Sequence, residues 1–288
     1  MIVSRFAPSP TGALHLGHAF SALCAHDLAR DAGGRFHLRI EDIDPGRCRE
    51  DHVNAILADL AWLGIDWDGP VVRQSHRLPL YQAALDRLKA AGLVYPCVCS
   101  RAEIAASATA PHGPAGAVYP GTCRALPRDP PPTRPHCWRL DMAAAITAAG
   151  PLRWHDASAG PVAADPAPQG DVVLARKDAP VSYHLAVVID DAAQGVTNVV
   201  RGVDLFEATH VHRLLQAMLG LPTPLYHHHP LLVGPDGRRL AKRDRARSLA
   251  ELRATGIDPI TLRGELRQRR CFATAPGAPI SAPCPHSS

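Results

Sequence analysis

The stretch PSPTGALHLGH, residues 8–18, holds two prolines, two glycines and two histidines, His15 and His18, three positions apart. Its flanks give it a place in a fold. Before it, IVSRF (2–6) alternates as a short strand and is stopped by the proline pair. After it, residues 18–30 have a helical composition that ends at Gly33-Gly34. RFHLRI (35–40) alternates again, with Phe36, Leu38 and Ile40 on one face and Glu41, Asp42 and Asp44 beyond its carboxyl end. Strand, helix and strand in such short order make a βαβ unit, which implies a parallel sheet.

Three uses of the histidine pair fit that turn. Imidazoles at i and i+3 share a helix face and can hold a metal. Alternatively, a helix start flanked by Gly12 and Gly17 suits phosphate: its free N–H groups and macrodipole attract anions, and small residues let a nucleotide approach. The imidazoles would then stabilise charge that develops in a transition state. A plain helix start with half-buried histidines fits HLGH alone equally well.

The bulk properties narrow the class. The chain has 288 residues, 46% hydrophobic and 20% charged, as in a globular enzyme rather than a disordered chain. That length buries a sizeable core, in one large domain or two small ones. A net charge of +4 and a pI of about 8.7 suit an anionic partner such as ATP or RNA without requiring one. MIVSRFAPSP lacks the make-up of a signal peptide, and no apolar run reaches the roughly 18 residues of a membrane span. The expectation is a cytoplasmic monomer with no membrane partner. Its eight cysteines would stay reduced, and clustered ones suit a metal better than disulfides.

Helices are expected over 50–63 and 79–91. The composition changes after Pro96, becoming rich in Ala, Pro and Gly with DPPPTRP (129–135) as a breaker. The α/β pattern returns with HLAVVIDD (184–191) and GVTNVVRG (195–202), then a helix over 205–219 and a hairpin about Pro235-Asp236-Gly237. The resulting division is an α/β domain in two halves, 1–96 and 183–247, around an inserted, loop-rich subdomain, 97–182. A short basic helical stem, 248–270, and a low-complexity tail, 271–288, expected to be disordered, follow.

The insertion carries its own constellation, Cys97-x-Cys99 and then Tyr119-Pro-Gly-Thr-Cys123. Three reduced cysteines in a loop-rich stretch make a zinc site, with Tyr119, His112 or Cys137 as the fourth donor. Histidine and cysteine are commoner zinc ligands than tyrosine. Such a zinc would be structural, because its ligands lie far in sequence from residues 8–18. The competing reading is that these cysteines are small buried hydrophobes. In HHH (227–229), consecutive strand residues face opposite ways, so this is read as scaffold. GRRLAKRDRAR (237–247) is by itself a solvated basic turn. Asp42 and Asp44 are read as local structure, and Cys24, Cys48, Cys271 and Cys284 are given no role.

The order Arg5-Phe6-Ala7-Pro8-Ser9-Pro10-Thr11-Gly12, followed by His15-Leu16-Gly17-His18, resembles the HIGH block of class I aminoacyl-tRNA synthetases, in the form of the glutamyl branch. Twelve ordered positions carry the likeness rather than four. The resemblance implies that His15 and His18 contact ATP phosphates, and that Arg5, Phe6, Ala7, Pro8 and Ser9 hold the amino acid. It also implies a KMSKS loop. Arg239-Leu240-Ala241-Lys242-Arg243 looks like a degenerate copy, with Lys242 as the second lysine and Ala241 for the usual serine. Glutamate, with two carboxylates and an ammonium, needs guanidinium partners and an acid. Arg5 and Arg201 end predicted strands, where open α/β sheets bind ligands, and Glu41 ends another. SYHLAVVIDD (182–191) and GVTNVVRGVDL (195–205) resemble the glutamyl-synthetase segment whose Tyr and Arg, here Tyr183 and Arg201, bind glutamate. Without the resemblance, Arg201 reads as a surface salt-bridge partner.

The likeness runs from residue 2 to about 245, and only 45 residues follow Arg243, where discriminating glutamyl-tRNA synthetases carry an anticodon-binding region. A shortened synthetase with a cysteine-rich insertion is similar to the glutamyl-Q tRNA(Asp) synthetase family. That resemblance implies a Rossmann-like α/β catalytic domain with an inserted subdomain and a short helical C-terminal piece. It implies one structural Zn2+ on Cys97, Cys99, Tyr119 and Cys123. It further implies L-glutamate activated by ATP with Mg2+ and without tRNA, then transferred to the queuosine base at the wobble position of tRNA(Asp). Two rivals stand beside it: a truncated glutamyl-tRNA synthetase charging the tRNA 3′ end, and a zinc-containing RNA-binding module without activity.

Overall fold

The computed structural model describes residues 1–100, 102–104, 118–232 and 247–269. The opening βαβ unit is as the alternation predicts. Strand β1 (Val3–Phe6), helix α1 (Leu16–Asp31) and strand β2 (Arg35–Ile40) follow in order, with β1 and β2 parallel and Val3 opposite Arg35. Helix α2 (Glu50–Trp62) leads to β3 (Val72–Arg73), parallel on the far side of β2. On the other edge of β1 lies β9 (Asn198–Gly202), anchored where the Thr197 N–H donates to the Val3 carbonyl at 2.9 Å. Strand β10 (Leu225–His229) pairs parallel with β9. The sheet β3-β2-β1 and the sheet carrying β9 and β10 thus abut along β1 and β9, leaving a crevice at the carboxyl ends of those two strands; open α/β sheets bind ligands at such a place.

Local chemistry sets the first unit. Helix α1 ends at Gly33, with φ of +61°, and a Cβ on Gly34 would stand 2.2 Å from the Ile2 carbonyl oxygen. Only glycine lets the chain fold back against β1 there. Phe36, Leu38 and Ile40 are fully buried under α1, each worth about 1.5–3 kcal/mol of burial.

A second core joins α3 (Leu78–Ala90), α5 (Tyr183–Ala193) and α6 (Phe206–Leu219) to a small antiparallel sheet, with helix α4 (Met142–Ala149) against it. That sheet orders β4 (Val94–Cys97), β5 (Cys137–Leu140) and β8 (Val173–Ala175). Asp190 of α5 is its electrostatic centre. It is fully buried and accepts from Gln74 Nε2 at 2.8 Å, Arg77 Nε at 2.7 Å and the Tyr81 hydroxyl at 2.8 Å. Asp190→Ala strands those donors, so urea unfolding should show a loss of about 3–5 kcal/mol. A loss under 1 kcal/mol would mean that the donors find other acceptors.

Two expectations are corrected. The stretch 97–182 does not fold wholly apart, because β6 (Arg153–Asp156) and β7 (Gly160–Ala163) form a hairpin that extends the main sheet beyond β10. Trp154 buries with Val196, Val199 and Tyr226, and Asp156 receives the Ser158 and Ala159 N–H groups at 2.9 Å. The stem is not one helical piece but two helices, α7 (Leu249–Ala254) and α8 (Pro259–Gln268). Gly256 at φ +77° ends the first, and Asp258 caps the second by accepting from the Thr261 N–H. Arg267 ties α8 to α1 through two 2.8 Å bonds to Asp27. The expected hairpin about Pro235–Gly237 and the tail 271–288 lie outside the described residues. No helix among the described residues is long and apolar enough to cross a membrane.

Candidate active site

The histidine pair caps α1 reciprocally. His15 Nδ1 accepts from the Gly17 N–H at 3.1 Å, and His18 Nδ1 accepts from the His15 N–H at 3.2 Å. Each ring therefore carries its proton on Nε2, and the two rings lie 3.8 Å apart. Gly17 suits this arrangement, since a Cβ there would stand 3.0 Å from His15 Cε1 and push the ring aside. Both rings line a cavity of about 480 Å3, together with Arg5, Ser9, Glu41, Tyr183, Arg201 and others. Phe6, Ala7, Pro8, Thr11, Gly12 and Gly17 line it too. Pro10 and Leu16 do not.

The acidic and basic groups form a connected floor. Arg5 donates from Nε and Nη2 to the two Asp191 oxygens, at 2.9 and 3.3 Å. Arg39, wholly buried, donates from Nη1 to Asp191 at 2.7 Å and from Nη2 to Glu41 at 3.4 Å. Burial pushes the Glu41 carboxyl up, opposed by Arg39 and Arg5. Asp191 is held below the usual carboxylate range by Arg5 and Arg39, against the cost of burial.

Arg201, at the end of β9, is buried at 5% exposure, so it is no surface salt-bridge partner. It donates to His228 Nε2 at 3.2 Å, Tyr183 Oη at 3.4 Å, His212 Nδ1 at 3.1 Å and Thr209 Oγ1 at 2.5 Å. His228 in turn meets Asp156 through Nδ1 at 2.8 Å.

A second cavity of about 260 Å3 shares Ser9, Thr11, Glu41 and Tyr183 with the first and continues along Asp44, Arg47, Arg176 and Ser182. The Ser182 hydroxyl is buried there with no hydrogen-bond partner among the described residues. Asp42 and Asp44 do hold local structure: Asp42 accepts from the Ser75 N–H and hydroxyl, and Asp44 from the Gly46 N–H and Arg176.

Arg239–Arg243, with Lys242, and His112, Cys271 and Cys284 lie outside the described residues. Leu232 lines the large cavity, while Ser248 bridges His15 and the Leu249 N–H donates to the Leu14 carbonyl at 2.8 Å.

The cysteines gather in the small sheet. The Sγ atoms of Cys97, Cys99 and Cys123 lie within 4.8 Å of one another. Tyr119 Oη is 3.7 Å from Cys99 Sγ and accepts from the Cys123 N–H at 2.8 Å. Cys137 faces Cys97 across β4 and β5 but stands outside that group. Hydrogen bonding from Cys137, aided by Tyr119 and Arg139, pushes the Cys97 thiol down to about 4 against its burial.

Reading the sequence missed Arg39, Asp156, Asp191, Thr209 and His212. The acidic pair closing HLAVVIDD was a signal for Asp191, because carboxylates in an apolar run must find buried cations. For Asp156, 72 residues from its partner His228, no local signal exists.

A parallel sheet with a histidine-capped helix at its switch point is the arrangement expected of a class I synthetase core, and the family comparison gives that class. The profile of tRNA synthetases class I (E and Q), catalytic domain, matches residues 1–276. The glutamyl-Q tRNA(Asp) synthetase of Rhodobacter capsulatus is 54% identical over 276 residues, covering 91% of this chain and 98% of that protein. That of Symbiobacterium thermophilum is 48% identical, covering 92% and 85%. A glutamate tRNA ligase of Elizabethkingia meningosepticum, solved in complex with its amino acid, superposes with a TM-score of 0.68 at 28% identity over 84% of this chain. The chain spans about half, 52%, of that longer ligase. The chain belongs to the glutamyl-Q tRNA(Asp) synthetase family of class I tRNA synthetases.

Proposed function

We propose that this protein activates L-glutamate with ATP and transfers the glutamyl group to the queuosine base of tRNA(Asp). The observation that carries the reading is the large cavity, which brings the capped histidine pair together with two arginines and Glu41. In the first step the glutamate α-carboxylate attacks the ATP α-phosphorus and pyrophosphate leaves. The Nε2–H groups of His15 and His18 donate to the phosphates as charge shifts onto them. Lys242, in the KMSKS-like run Arg239–Arg243, adds a cation to the triphosphate in this reading. Mg2+ accompanying ATP would supply further neutralisation of the phosphate charge.

Arg201 takes a glutamate carboxylate, Tyr183 adds a hydroxyl contact and Glu41 takes the ammonium. Arg5 shapes this floor through Asp191. In the second step a hydroxyl of the queuosine cyclopentenediol attacks the mixed anhydride and AMP leaves. The second cavity, open beside Ser9 and Glu41, is the approach for that acceptor. The queuosine acceptor is supported by the names of the relatives, 44–54% identical to this chain. ATP–pyrophosphate exchange with glutamate and no tRNA tests the reading. Exchange only in the presence of tRNA would favour an ordinary synthetase, and none at all a binding module.

The cysteine group fits a zinc ion. Thiolates 2.3 Å from zinc stand about 3.8 Å apart in a tetrahedron. The 3.4 Å Cys99–Cys123 and 3.7 Å Cys99–Tyr119 separations are close to that. Cys97, Cys99, Cys123 and Tyr119 would hold the metal, which supplies a cross-link to a loop-rich stretch and no step of the reaction. Cys99→Ser protein should lose its zinc on purification, measured by plasma mass spectrometry. One full equivalent retained would overturn the ligand set.

A further inference from the structure

Two buried guanidinium groups, Arg5 and Arg201, line the large cavity, with Arg39 buried beneath against Asp191 and Glu41, and the three are held in two different ways. Arg5 and Arg39 are both paired with Asp191. Among the described residues, Arg201 has no carboxylate within 4.0 Å; its partners are two imidazole nitrogens, a phenol and a threonine hydroxyl. The Tyr226 ring, 5.3 Å from the guanidinium carbon, adds a further neutral support. A buried cation without an anion is expensive to maintain, so the arrangement calls for an incoming anion.

We propose that His212, acting with Thr209 and His228, determines selectivity for a carboxylate over an amide by orienting Arg201 on neutral acceptors alone. This rests on the reading that Arg201 receives a glutamate carboxylate. The tautomers follow from the hydrogen bonds. His228 donates its Nδ1–H to Asp156, which leaves the Nε2 lone pair facing Arg201 and the Thr209 hydroxyl. His212 presents the Nδ1 lone pair to Arg201, so its proton is on Nε2, directed to His184 Nδ1 at 3.2 Å. Burial and the charge of Arg201 hold His212 well below the ordinary imidazole range, and burial pushes His184 down to about 4. Both stay neutral at physiological pH. Asp156 reaches Arg201 only through His228, so the guanidinium is fixed in direction while its charge stays available to the ligand. Glutamate completes the ion pair; glutamine, of nearly the same shape, does not.

The test exploits shape. In asparagine and in aspartate, Oδ1 takes the place of the His212 Nδ1 acceptor, and the two differ only in charge. KM for glutamate and for glutamine is measured by ATP–pyrophosphate exchange with His212→Asn, His212→Asp and Arg201→Ala. His212→Asn should stay within about threefold of the parent, and His212→Asp should raise KM for glutamate about 30-fold while leaving that for glutamine unmoved. Equal shifts in the two variants, or a fall in kcat alone, would mean a structural role and overturn the inference. If His212→Asp does not fold, Thr209→Asn and Thr209→Asp make the same comparison at the other guanidinium nitrogen. Arg201→Ala separates the two levels. A raised KM there with matching Asn and Asp variants sinks only the selectivity role, and an unchanged KM sinks the reading of the site as well.

Discussion

His18→Asn protein should fold like the parent and form glutamyl-adenylate about 10²–10³-fold more slowly. The choice of asparagine separates two duties of one ring. His18 Nδ1 accepts the His15 N–H and so closes the start of α1. Asparagine Oδ1 occupies that acceptor position, so the cap survives. What disappears is the Nε2–H donor, which is needed only as charge moves onto the phosphates. His18→Ala loses both, and thermal unfolding should show about 1 kcal/mol of lost cap stability besides the slower exchange. Exchange within tenfold of the parent in the asparagine variant, in pre-steady-state adenylate formation, would remove His18 from the phosphate site.

Arg201→Met should raise KM for glutamate by two to three powers of ten, about 3–4 kcal/mol, without lowering the unfolding midpoint. A residue kept for packing would not behave so. In the free protein Arg201 is buried among neutral acceptors, and a methionine of similar length removes an uncompensated charge from that place. Once glutamate is present, the same charge is the anchor. Arg201→Lys should recover only part of the loss, because a point charge cannot serve His212, Thr209 and a carboxylate at once. A fall in both stability and turnover at unchanged KM would assign Arg201 to the scaffold.

The parts of the fold legible in the sequence are those with strong period and clear punctuation. The alternation of Phe36, Leu38 and Ile40 and the glycine pair at 33–34 marked β2 and the end of α1, and all three apolar side chains are fully buried. The hairpin of β6 and β7 left no such mark. Its strands are four residues each, and their place beside β10 depends on Trp154 and Asp156 meeting residues far along the chain. The stem broke in two at Gly256, where a basic helical run read as continuous. At the site, Arg5, Glu41 and Arg201 were singled out from their places at strand ends, and the three line one cavity. The groups that orient them, Asp191, His212 and Thr209, sit on helices α5 and α6, and only the three-dimensional packing brings them to the arginines. HHH at 227–229 read as scaffold, and strand alternation gave no reason to single out His228, which connects Asp156 to Arg201.

The most direct measurement is transfer of labelled glutamate to tRNA(Asp) with and without queuosine, followed by nuclease digestion to locate the label. The expected result is label on the anticodon fragment of the queuosine-containing tRNA and none on tRNA carrying guanosine at the wobble position. Label on the 3′-terminal fragment, regardless of the wobble base, would contradict the proposed acceptor and make this a short glutamyl-tRNA synthetase.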